Sequence, residues 1–580
     1  MAKATTSKAT KSNFAKNKST ILDQLNANLE KNEIIYFWGI LISGIILALM
    51  SFNARMSEAH DDSAYIEAGF RIVDEFPNFY YTANAPLYPM FLALITLILG
   101  ANFIYFKLFS ILFYVLGAII FYKTLNNKVA PVIKFFVFIY ICLNYLILYF
   151  ASQTFSESFY MFIQSVFFYY FTTYNFSNNP IGTNLKSDWK KWIVIGFLLM
   201  VLTLAKNILV FGVFAVVLFY IIKKDWKKAI FSIGFFGIFK ILYEFIKNLI
   251  WGKSAIQYAN QVNILMNKDP YDASQGQEDL SGFIVRFFEN ISIYLGKRFY
   301  QLIGFFDENF LFKKVIQKDG ETYEVVNNTI YFFLAIIVLV MTFYGLYKAY
   351  KNKQDFIFFF ILFSGTICFG TFFVLQTRWD QPRLLMVHLP SIFLGIAYGL
   401  SLFFEKNNFN QRIFIGLIAL VSISFLLSSS KRAISNLPIV LKNIKGDIYY
   451  GYTPDWKNYL QMSVYCKDSL PETSFVAARK ASMSFVYAKG KHFYPIYSVI
   501  AKDPESNQSN PDSALAIFKK HKVTHVLLGS LRINPAQNTG EVINTIHNII
   551  APIAQKYPEK LRLIKEIGLS ETAYLYEIKY

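Results

Sequence analysis

Long apolar segments separated by short polar loops fill most of the chain between residues 34 and 430. A helix that crosses a membrane needs about 20 predominantly apolar residues. The candidate segments are 34–50, 103–122, 131–150, 158–174, two short segments within 192–220, 229–250, 330–347, 356–375, 384–404 and 413–427. The pattern therefore predicts an α-helical polytopic membrane protein with about eleven spans.

Segment 86–100 is also apolar, but as a helix it would be only about 22 Å long. We interpret it as a juxtamembrane helix, because a further span here would place Lys123, Lys128 and Lys134 on the opposite side from the later basic loops. With this segment outside the membrane, the clustered basic residues of the loops all fall on the cytoplasmic side. The N-terminus is then inside and the C-terminus outside, and a turn near Lys206 divides 192–220 into two short spans.

Composition supports the same class of protein. Of the 580 residues, 54% are hydrophobic and only 16% are charged, which is too apolar for a soluble chain of this length. A formal charge of +19 would suggest nucleic-acid binding in a soluble protein, but here it comes from lysines in predicted cytoplasmic loops and a basic N-terminal tail. Membrane lipid is therefore an expected partner and nucleic acid is not.

The composition changes after about residue 430, where Gly, Pro, Asp and Asn return. Segments 473–478 and 523–528 have the pattern of buried strands, and 513–520 and 541–556 that of helices, the second interrupted at Pro552. Alternating strands and helices predict a small α/β domain.

The predicted organisation thus has three parts. They are a cytoplasmic tail (1–33), a transmembrane domain (34–430) with outer loops 52–102 and 251–328, and a soluble extracytoplasmic α/β domain (431–580). In the second outer loop, 283–306 is rich in aromatic residues and carries Arg286, Lys297 and Arg298. It is predicted to form an amphipathic helix at the membrane interface.

Ionisable residues converge on the outer ends of the predicted spans. They are Asp61, Asp62, Glu157, Lys206, Arg378, Asp380 and Arg383. Such residues at membrane depth cost about 2.5 to 3.5 kcal/mol each, and the spans were drawn from the lysine-rich loops rather than from these positions. An outer cluster of both signs predicts a site in which bases lie beside cations able to hold a phosphate.

Each of these groups also has a structural interpretation. Asp61 and Asp62 could begin a solvated interfacial helix, and Glu157 could be a carboxylate favoured by a helix N-terminus. Lys206 could extend its amine from a helix end to the interface, and 378–383 could be an ordinary polar turn. The histidines, His60 and His388 among them, show no ligand spacing, so no metal site is predicted. No nucleotide-binding or serine-hydrolase motif occurs in a usable context.

Several motifs together resemble the GT-C glycosyltransferases, in the branch of the protein O-mannosyltransferases and the lipid A aminoarabinose transferases. Asp61-Asp62-x-x-Tyr65-x-x-Ala68 resembles the D-E/D-x-x-Y-x-x-A signature of the first outer loop. The other matches are Pro86-Leu87-Tyr88-Pro89 with the proline motif, Thr154–Glu157 with the outer acidic position, Leu202–Lys206 with the L-x-K/R segment, and Arg378-Trp379-x-x-Pro382 with the late R-Y/W-x-x-P motif. The soluble tail, with 476–480, resembles the periplasmic α/β domain of bacterial members. The matches follow in order over nearly the whole chain.

The resemblance implies a GT-C fold and an inverting transfer of a sugar, hexosyl or pentosyl, from a polyprenyl-phosphate donor. Asp61 would be the general base and Asp62 would assist or orient it. Lys206 and Arg378 would bind the leaving phosphate, and Glu157 would bind acceptor or sugar or support Asp61. The motif positions Tyr65, Pro86, Tyr88 and Trp379, and Arg383 directly after the late motif, would complete the substrate-binding set.

The same resemblance implies a lipid A, glycan or protein acceptor and a bacterial inner membrane with the site facing the periplasm. No cofactor is predicted: a divalent metal is compatible with the chemistry, but the sequence does not support one or specify a metal requirement. The chain departs from the family pattern at Asp62, where Glu is common, and at Asn84-Ala85, where His-Pro or Lys-Pro often stands. Because those positions can touch donor or acceptor, the resemblance does not specify the sugar.

Three other classes of function are compatible with parts of the pattern. A lipid-linked glycan flippase would need polar residues lining a path through the membrane, often in repeated halves, and no such repeat is evident. A polysaccharide polymerase would be expected to carry basic residues in its large outer loops, without the early Asp-Asp loop. A scaffold acting through its α/β domain would function without Asp61 and Lys206.

Overall fold

The computed structural model describes residues 20–52, 54–57, 61–100, 102–252, 261–270, 275–304, 313–318, 321–326, 328–496, 510–533, 541–542 and 546–580. His60, and several parts of the predicted outer loop 251–328, lie outside the described residues.

Helices dominate the chain up to Ile444. In chain order they are α1 (Ile21–Lys31), α2 (Glu33–Ser51), α3 (Asp61–Asp74), α4 (Leu87–Leu99), α5 (Phe103–Leu125), α6 (Pro131–Leu143), α7 (Tyr145–Ala151), α8 (Ser156–Asn175), α9 (Leu185–Ala205), α10 (Val210–Ile222), α11 (Trp226–Trp251), α12 (Gln261–Met266), α13 (Leu280–Ile291), α14 (Phe299–Leu302), α15 (Asn328–Lys351), α16 (Asp355–Val374), α17 (Arg383–Met386), α18 (Leu389–Phe403) and α19 (Asn408–Ile444). A short antiparallel hairpin, β1 (Lys313–Lys318) and β2 (Glu321–Val326), precedes α15.

Each segment predicted to cross the membrane forms a helix or a pair of helices, which confirms an α-helical polytopic membrane protein. Within the described ranges, six helices are long and apolar enough to cross a membrane: α2, α5, α11, α15, α16 and α19. The pair α6 and α7, bent by 50°, would make a seventh. The predicted count of about eleven spans is not confirmed. Segment 86–100 contains the short apolar helix α4, 13 residues long.

Two helix breaks have identifiable causes. At Asn144 the side-chain oxygen accepts the backbone N–H of Leu146 at 2.9 Å, so Asn144 caps α7 and separates it from α6. At Lys206 the backbone is extended (φ −155°, ψ 125°), and α9 ends there before a short 3-10 turn, Asn207–Leu209, leads into α10. The predicted division of 192–220 near Lys206 is therefore confirmed.

Close packing of helices holds the bundle together. The phenyl rings of Phe171 and Phe359 stack with centroids 4.1 Å apart, joining α8 to α16. Between α15 and α18, a Cβ added at Gly345 would collide with the backbone carbonyl of Gly395. Glycine is required there because the two backbones touch directly, as small residues permit in membrane bundles.

The predicted amphipathic helix over 283–306 is divided in the structure. Helix α13 ends at Ile291, a π-helical turn covers Ser292–Lys297, and α14 follows. Along α13, Arg286 and Asn290 are buried while Leu280, Val285 and Phe288 are exposed. Of the predicted range 283–306, the last two residues lie outside the described residues.

Elements of α/β type follow the last long helix, which continues through residue 431 to Ile444. They are α20 (Pro454–Ser469), β3 (Val476–Ala478), α21 (Ala481–Tyr487), β4 (Phe493–Pro495), α22 (Pro511–Lys520), β5 (His525–Leu528), β6 (Arg532–Ile533), β7 (Glu541–Val542), α23 (Ile546–Lys556), β8 (Leu561–Ile567) and β9 (Ala573–Ile578). Five strands form one sheet in the order β4-β3-β5-β9-β8, with β3 parallel to β4 and β5 and with β9 antiparallel to β5 and β8.

The strands and the helix predicted at 473–478, 523–528 and 513–520 are confirmed. The prediction for 541–556 is wrong in two respects. Glu541 and Val542 pair with β6 as a strand, and Pro552 lies inside α23 without interrupting it. Ile549, Ile550 and Ile553 are buried on both sides of this proline, and their packing offsets the backbone hydrogen bond that proline removes.

The α/β elements pack on the region around α3. The rings of Phe70 in α3 and Phe485 in α21 meet edge to face at 5.3 Å. The Tyr452 hydroxyl donates to the Met56 carbonyl at 2.5 Å and lies 3.0 Å from the Tyr487 hydroxyl. The C-terminal elements thus support both α3 and the loop that precedes it.

Candidate active site

Helix α3 begins with two aspartates in different surroundings. The side chain of Asp61 is 40% exposed, whereas Asp62 is completely buried. Carboxylate oxygens of Asp62 accept the backbone N–H groups of Ser57 at 2.7 Å and Ser63 at 2.8 Å. Asp61 is therefore open to a substrate, and Asp62 fixes the loop that leads into the helix.

Three further charged residues lie in a row beside Asp61. The Arg383 guanidinium forms an ion pair with Asp61, and its second terminal nitrogen is 3.8 Å from Glu157 Oε1. Lys206 Nζ donates to the same Glu157 oxygen at 2.8 Å. We name Asp61, Arg383, Glu157 and Lys206 the Asp61–Lys206 cluster. Its charges alternate in sign.

Ends and breaks of helices position the members of this cluster. Asp61 and Glu157 lie in the first turns of α3 and α8, where the helix dipole favours negative charge. Lys206 lies at the break between α9 and α10, and Arg383 at the start of the short helix α17. The Arg383 guanidinium also lies 4.9 Å from the centre of the Phe155 ring, which restricts its orientation.

One carboxylate oxygen of Glu157 is buried without a hydrogen-bond donor among the described residues. Its side chain is 1% exposed, yet among the described residues Oε2 has no hydrogen-bond partner. A buried acceptor left without a donor costs about 1–3 kcal/mol. A hydroxyl group of a substrate would satisfy this oxygen.

Beneath Asp62 lies a buried cation that the sequence analysis did not select. Lys107 in α5 is completely buried, and its amine donates to the Arg55 carbonyl and, at 2.7 Å, to Gln153 Oε1. Its charge also attracts that of Asp62. Lys107 thus joins the loop before α3 to the turn before Glu157. In the sequence, Lys107 is distinguished as a single lysine at the outer end of the apolar segment 103–122.

Burial raises the pKa of Asp62 to about 6, although Lys107 and the N–H groups of Ser57 and Ser63 act in the opposite direction. Burial also raises the pKa of the neighbouring Tyr65, so its phenol stays protonated. Asp62 therefore titrates close to neutral pH.

The tyrosines of the first two motifs lie together. The Tyr65 and Tyr88 rings meet edge to face at 5.3 Å, and Tyr88 is 5.6 Å from Phe159. Pro86 immediately precedes α4. Through these contacts the predicted juxtamembrane helix lies beside α3 and α8.

The late motif divides between two locations. Arg378 is 62% exposed and forms an ion pair with Asp269 at 2.9 Å, whereas Arg383 is 11% exposed and belongs to the cluster. Asp380 pairs with Arg298 at 2.6 Å and with Lys297. In the part of the chain that the structure describes, neither Arg378 nor Asp380 forms an ion pair with a cluster member.

Trp379 packs against the core of the helix bundle. Its indole therefore anchors the turn that carries Arg378 and Arg383. This is a structural role in addition to the predicted role of Trp379 in binding.

Buried polar side chains continue from the cluster into the bundle. The Tyr160 hydroxyl donates to Gln164 Oε1 at 2.6 Å and lies 3.1 Å from His388 Nε2. Lys206 Nζ is 5.9 Å from the centre of the Tyr160 ring. Tyr160, Gln164 and His388 thus form a buried polar group next to Lys206.

Metal ligands are not grouped in the described ranges, where no set of three or more His, Cys, Asp or Glu side chains is arranged to hold an ion.

No protein-family model matches the chain, and no curated protein matches its sequence. Solved structures match in overall arrangement. The oligosaccharyltransferase of Archaeoglobus fulgidus, in complex with zinc and sulfate, aligns with a TM-score of 0.49 and 11% identity over 93% of this chain and 72% of its own. AglB from the same organism, in complex with an inhibitory peptide and a dolichol-phosphate, aligns at 0.46 and 12% over 94% and 74%. ArnT from Cupriavidus metallidurans, in the apo state, aligns at 0.45 and 9% over 94% and 98%.

AglB and ArnT are GT-C glycosyltransferases. At identities of 9% to 12% and TM-scores of 0.45 to 0.49, these alignments assign no role to this chain. The roles proposed below are accordingly taken from the contacts within this chain.

Proposed function

We propose that this protein is an integral membrane glycosyltransferase that moves a sugar from a polyprenyl-phosphate donor to an acceptor hydroxyl with inversion. The observation that carries the proposal is the Asp61–Lys206 cluster, in which an accessible carboxylate lies beside two cations at the ends of apolar helices. A carboxylate can take a proton from an attacking hydroxyl, and the cations can stabilise the phosphate that leaves.

In the proposed reaction, the acceptor oxygen attacks the anomeric carbon from the face opposite the phosphate. The bond between that carbon and the phosphate oxygen breaks, and its electron pair stays on the phosphate. Asp61 takes the proton of the acceptor hydroxyl. One displacement of this kind inverts the anomeric configuration.

Lys206 and Arg383 are assigned to the leaving phosphate. Both contact Glu157, and both lie among groups with little solvent, where charge–charge interactions are strong. The guanidinium of Arg383 can present two parallel N–H donors to phosphate oxygens. Arg378, predicted to share this role, pairs with Asp269, and its binding of phosphate stays a prediction.

Glu157 and Asp62 are assigned supporting roles. The unpartnered Oε2 of Glu157 would accept a hydroxyl of the sugar or of the acceptor. Asp62 holds the loop before α3 through the Ser57 N–H, and so keeps Asp61 at the start of the helix.

The site is proposed to face the extracytoplasmic side, the periplasm of a bacterium, with 431–580 forming the extracytoplasmic domain. The acceptor is lipid A, a glycan or a protein. Clustered lysines in the loops at the opposite ends of the spans support this orientation.

Substitution of the base tests the proposal. Asp61→Asn should abolish transfer in an assay that combines purified protein, defined polyprenyl-phosphate sugars and a membrane extract as acceptor pool, while membrane insertion and thermal unfolding stay normal. Asp74→Asn, an exposed aspartate at the other end of α3, is the matched control and should transfer normally. Near-normal turnover by Asp61→Asn would remove Asp61 from the catalytic role.

A further inference from the structure

A cavity lies farther along α3, between that helix and the C-terminal α/β elements. Its volume is about 370 Å³, within the range of small-molecule sites. Its polar walls include Glu67, Arg71, Glu75, Ser482 and His492, and Phe475 adds apolar surface. We name this cavity the α3 cleft. None of its lining residues belongs to the Asp61–Lys206 cluster.

One wall of the cleft is a single face of α3. Glu67 and Arg71 lie in α3, and Glu75 directly follows its last residue, with its backbone N–H bonded to the Arg71 carbonyl at 2.9 Å. At this four-residue spacing the three side chains project from the same side. Arg71 forms two hydrogen bonds with Glu75, at 2.5 and 3.0 Å, and each of these side chains is 36% exposed. The charges are thus held in place and still accessible.

The other wall comes from the α/β elements and meets the first at Glu67. The Ser482 hydroxyl donates to Glu67 Oε2, and His492 Nδ1 is 3.9 Å from Glu67 Oε1. The imidazole of His492 is placed against the Phe485 ring, 5.0 Å away. The two walls therefore offer carboxylate acceptors beside hydroxyl, imidazole and guanidinium donors.

A sugar matches this set of groups. Each hydroxyl of a sugar both donates and accepts, so a sugar can bond to carboxylates and to donors at once. The apolar faces of its ring can lie on Phe475. Glu67 and Glu75 against Arg71 leave one net negative charge when His492 is neutral, which favours neutral and amino sugars over anionic ones.

The position of the cleft suits the acceptor rather than the donor. Glu67 lies six residues beyond Asp61, about 9 Å along the helix axis, so the cleft and the proposed base are carried by the same helix. All the lining residues belong to α3, to the residue that follows it, or to the C-terminal region 475–495. Apolar spans, which a polyprenyl chain would need, contribute none of them.

We propose that the α3 cleft binds the carbohydrate part of the acceptor, as one or more neutral or amino sugar residues. The identity of the ligand as acceptor rests on the proposed function, whereas binding of sugar in the cleft can be measured without turnover.

Saturation-transfer NMR on the full-length protein in detergent, without donor, tests this binding. The probes are methyl glycosides and disaccharides of glucose, mannose, galactose, N-acetylglucosamine, glucosamine and glucuronic acid. We expect neutral and amino sugars to bind more tightly than glucuronic acid. Glu67→Gln should weaken binding about tenfold, the scale of one charge-assisted hydrogen bond. His492→Ala, on the opposite wall, gives a second variant should Glu67→Gln fail to fold.

The matched control is Glu571→Gln. Glu571 pairs with Arg532 outside the cleft and is 36% exposed, like Glu75, so this variant should bind sugar normally. Absence of saturation transfer to every sugar of the panel, or equal binding by the wild type and by whichever cleft variants fold, overturns the proposal. Binding of synthetic peptides that both cleft variants abolish would assign the cleft to a protein acceptor and would also overturn it.

Asp61→Asn separates this inference from the proposed function. It should abolish transfer and leave sugar binding in the cleft unchanged. If Asp61→Asn stays active, the proposed function fails whatever the cleft binds. If Asp61→Asn is inactive while Glu67→Gln and His492→Ala bind sugar like the wild type, only the assignment of the cleft fails.

Discussion

Arg383 and Asp61 form an ion pair although 322 positions separate them in the chain. The pair joins the start of α17 to the start of α3 and brings the proposed base next to a fixed cation. The Arg383 guanidinium also lies 3.8 Å from Glu157 Oε1. One cation therefore lies beside both carboxylates of the cluster.

Removal of the Arg383 charge should therefore impair transfer. We expect Arg383→Gln to lower kcat/KM by about 100-fold or more, the effect of losing one preorganised group that stabilises a leaving anion. Arg383→Lys should recover only part of the activity, because an ammonium cannot form the same paired hydrogen bonds. The transfer assay with purified variants checks both. Arg562→Gln, which breaks the ion pair with Glu577 in the α/β sheet, is the control; an equal loss there would indicate general destabilisation.

Arg378 offers a direct comparison with Arg383. If Arg378 binds the phosphate as the motif predicts, Arg378→Gln should raise the KM for the donor. The contacts seen here favour a smaller effect than that of Arg383→Gln, because Arg378 is 62% exposed and pairs with Asp269. Titration of the donor at fixed acceptor measures the two side by side. A larger loss for Arg378→Gln would move the phosphate site toward Asp269.

Lys206 should act on the donor rather than on the acceptor. Its amine is 2.8 Å from Glu157 and can turn to a phosphate, so Lys206→Ala should raise the KM for the polyprenyl-phosphate sugar about tenfold or more. The KM for the acceptor should change little. Separate titrations of the two substrates check this, with Lys228→Ala, which removes an ion pair with Asp225 outside the cluster, as control. Equal changes in both KM values would contradict phosphate binding by Lys206.

Titration of Asp62 should appear in the pH dependence of both stability and transfer. Burial raises its pKa from 3.8 to about 6 in the folded protein, so the native state binds more protons than the unfolded state between these values. Stability should then fall as pH rises from about 4 to about 6 and stay level above, by linkage. If the ionised form supports Asp61, transfer should rise with pH through about 6.

Thermal unfolding and kcat/KM measured over this pH range check both effects. Asp62→Asn should remove the fall in stability between about pH 4 and 6, and also the rise in kcat/KM with pH near 6 (the acidic limb of the profile). Asp74→Asn, in the same helix and exposed, should keep both. An unchanged acidic limb in Asp62→Asn would assign that titration to another group.

Loss of Lys107 should remove a buried cation whose charge attracts that of Asp62. Lys107→Met also removes the hydrogen bonds to the Arg55 carbonyl and Gln153 Oε1, so it should lower the unfolding temperature and the rate of transfer. The double variant with Asp62→Asn should recover stability, which a double-mutant cycle measures. Lys134→Met is the matched control: Lys134 is a buried lysine that pairs with Glu33, and its effect should be independent of Asp62. Strict additivity of Lys107→Met and Asp62→Asn would contradict the coupling.

Local patterns in the sequence were sufficient for the apolar helices, the break at Lys206 and the acidic starts of α3 and α8, because hydropathy and helix-end preferences act over a few residues. They were not sufficient to choose between Arg378 and Arg383. Both arginines lie in one short polar turn, and only the packing of α17 against the bundle decides which one is buried with Asp61.

Lys107 was missed for a related reason. A single lysine at the end of an apolar segment resembles a residue that extends to the interface, and its partners Arg55 and Gln153 lie about 50 positions away on either side. The role of Pro552 in α23 was misjudged because local preference for a break was weaker than the burial of the isoleucines around it.

The hydrogen bond from Tyr452 to the Met56 carbonyl has a consequence for biosynthesis. The loop before Asp61 is supported by residues made almost 400 positions later, and Tyr487 follows later still. A nascent chain whose long helices have all entered the membrane therefore still lacks this support. If the chain acts as proposed, prematurely terminated chains that lack the α/β elements would lie in the membrane with the loop before Asp61 unsupported and would not transfer sugar.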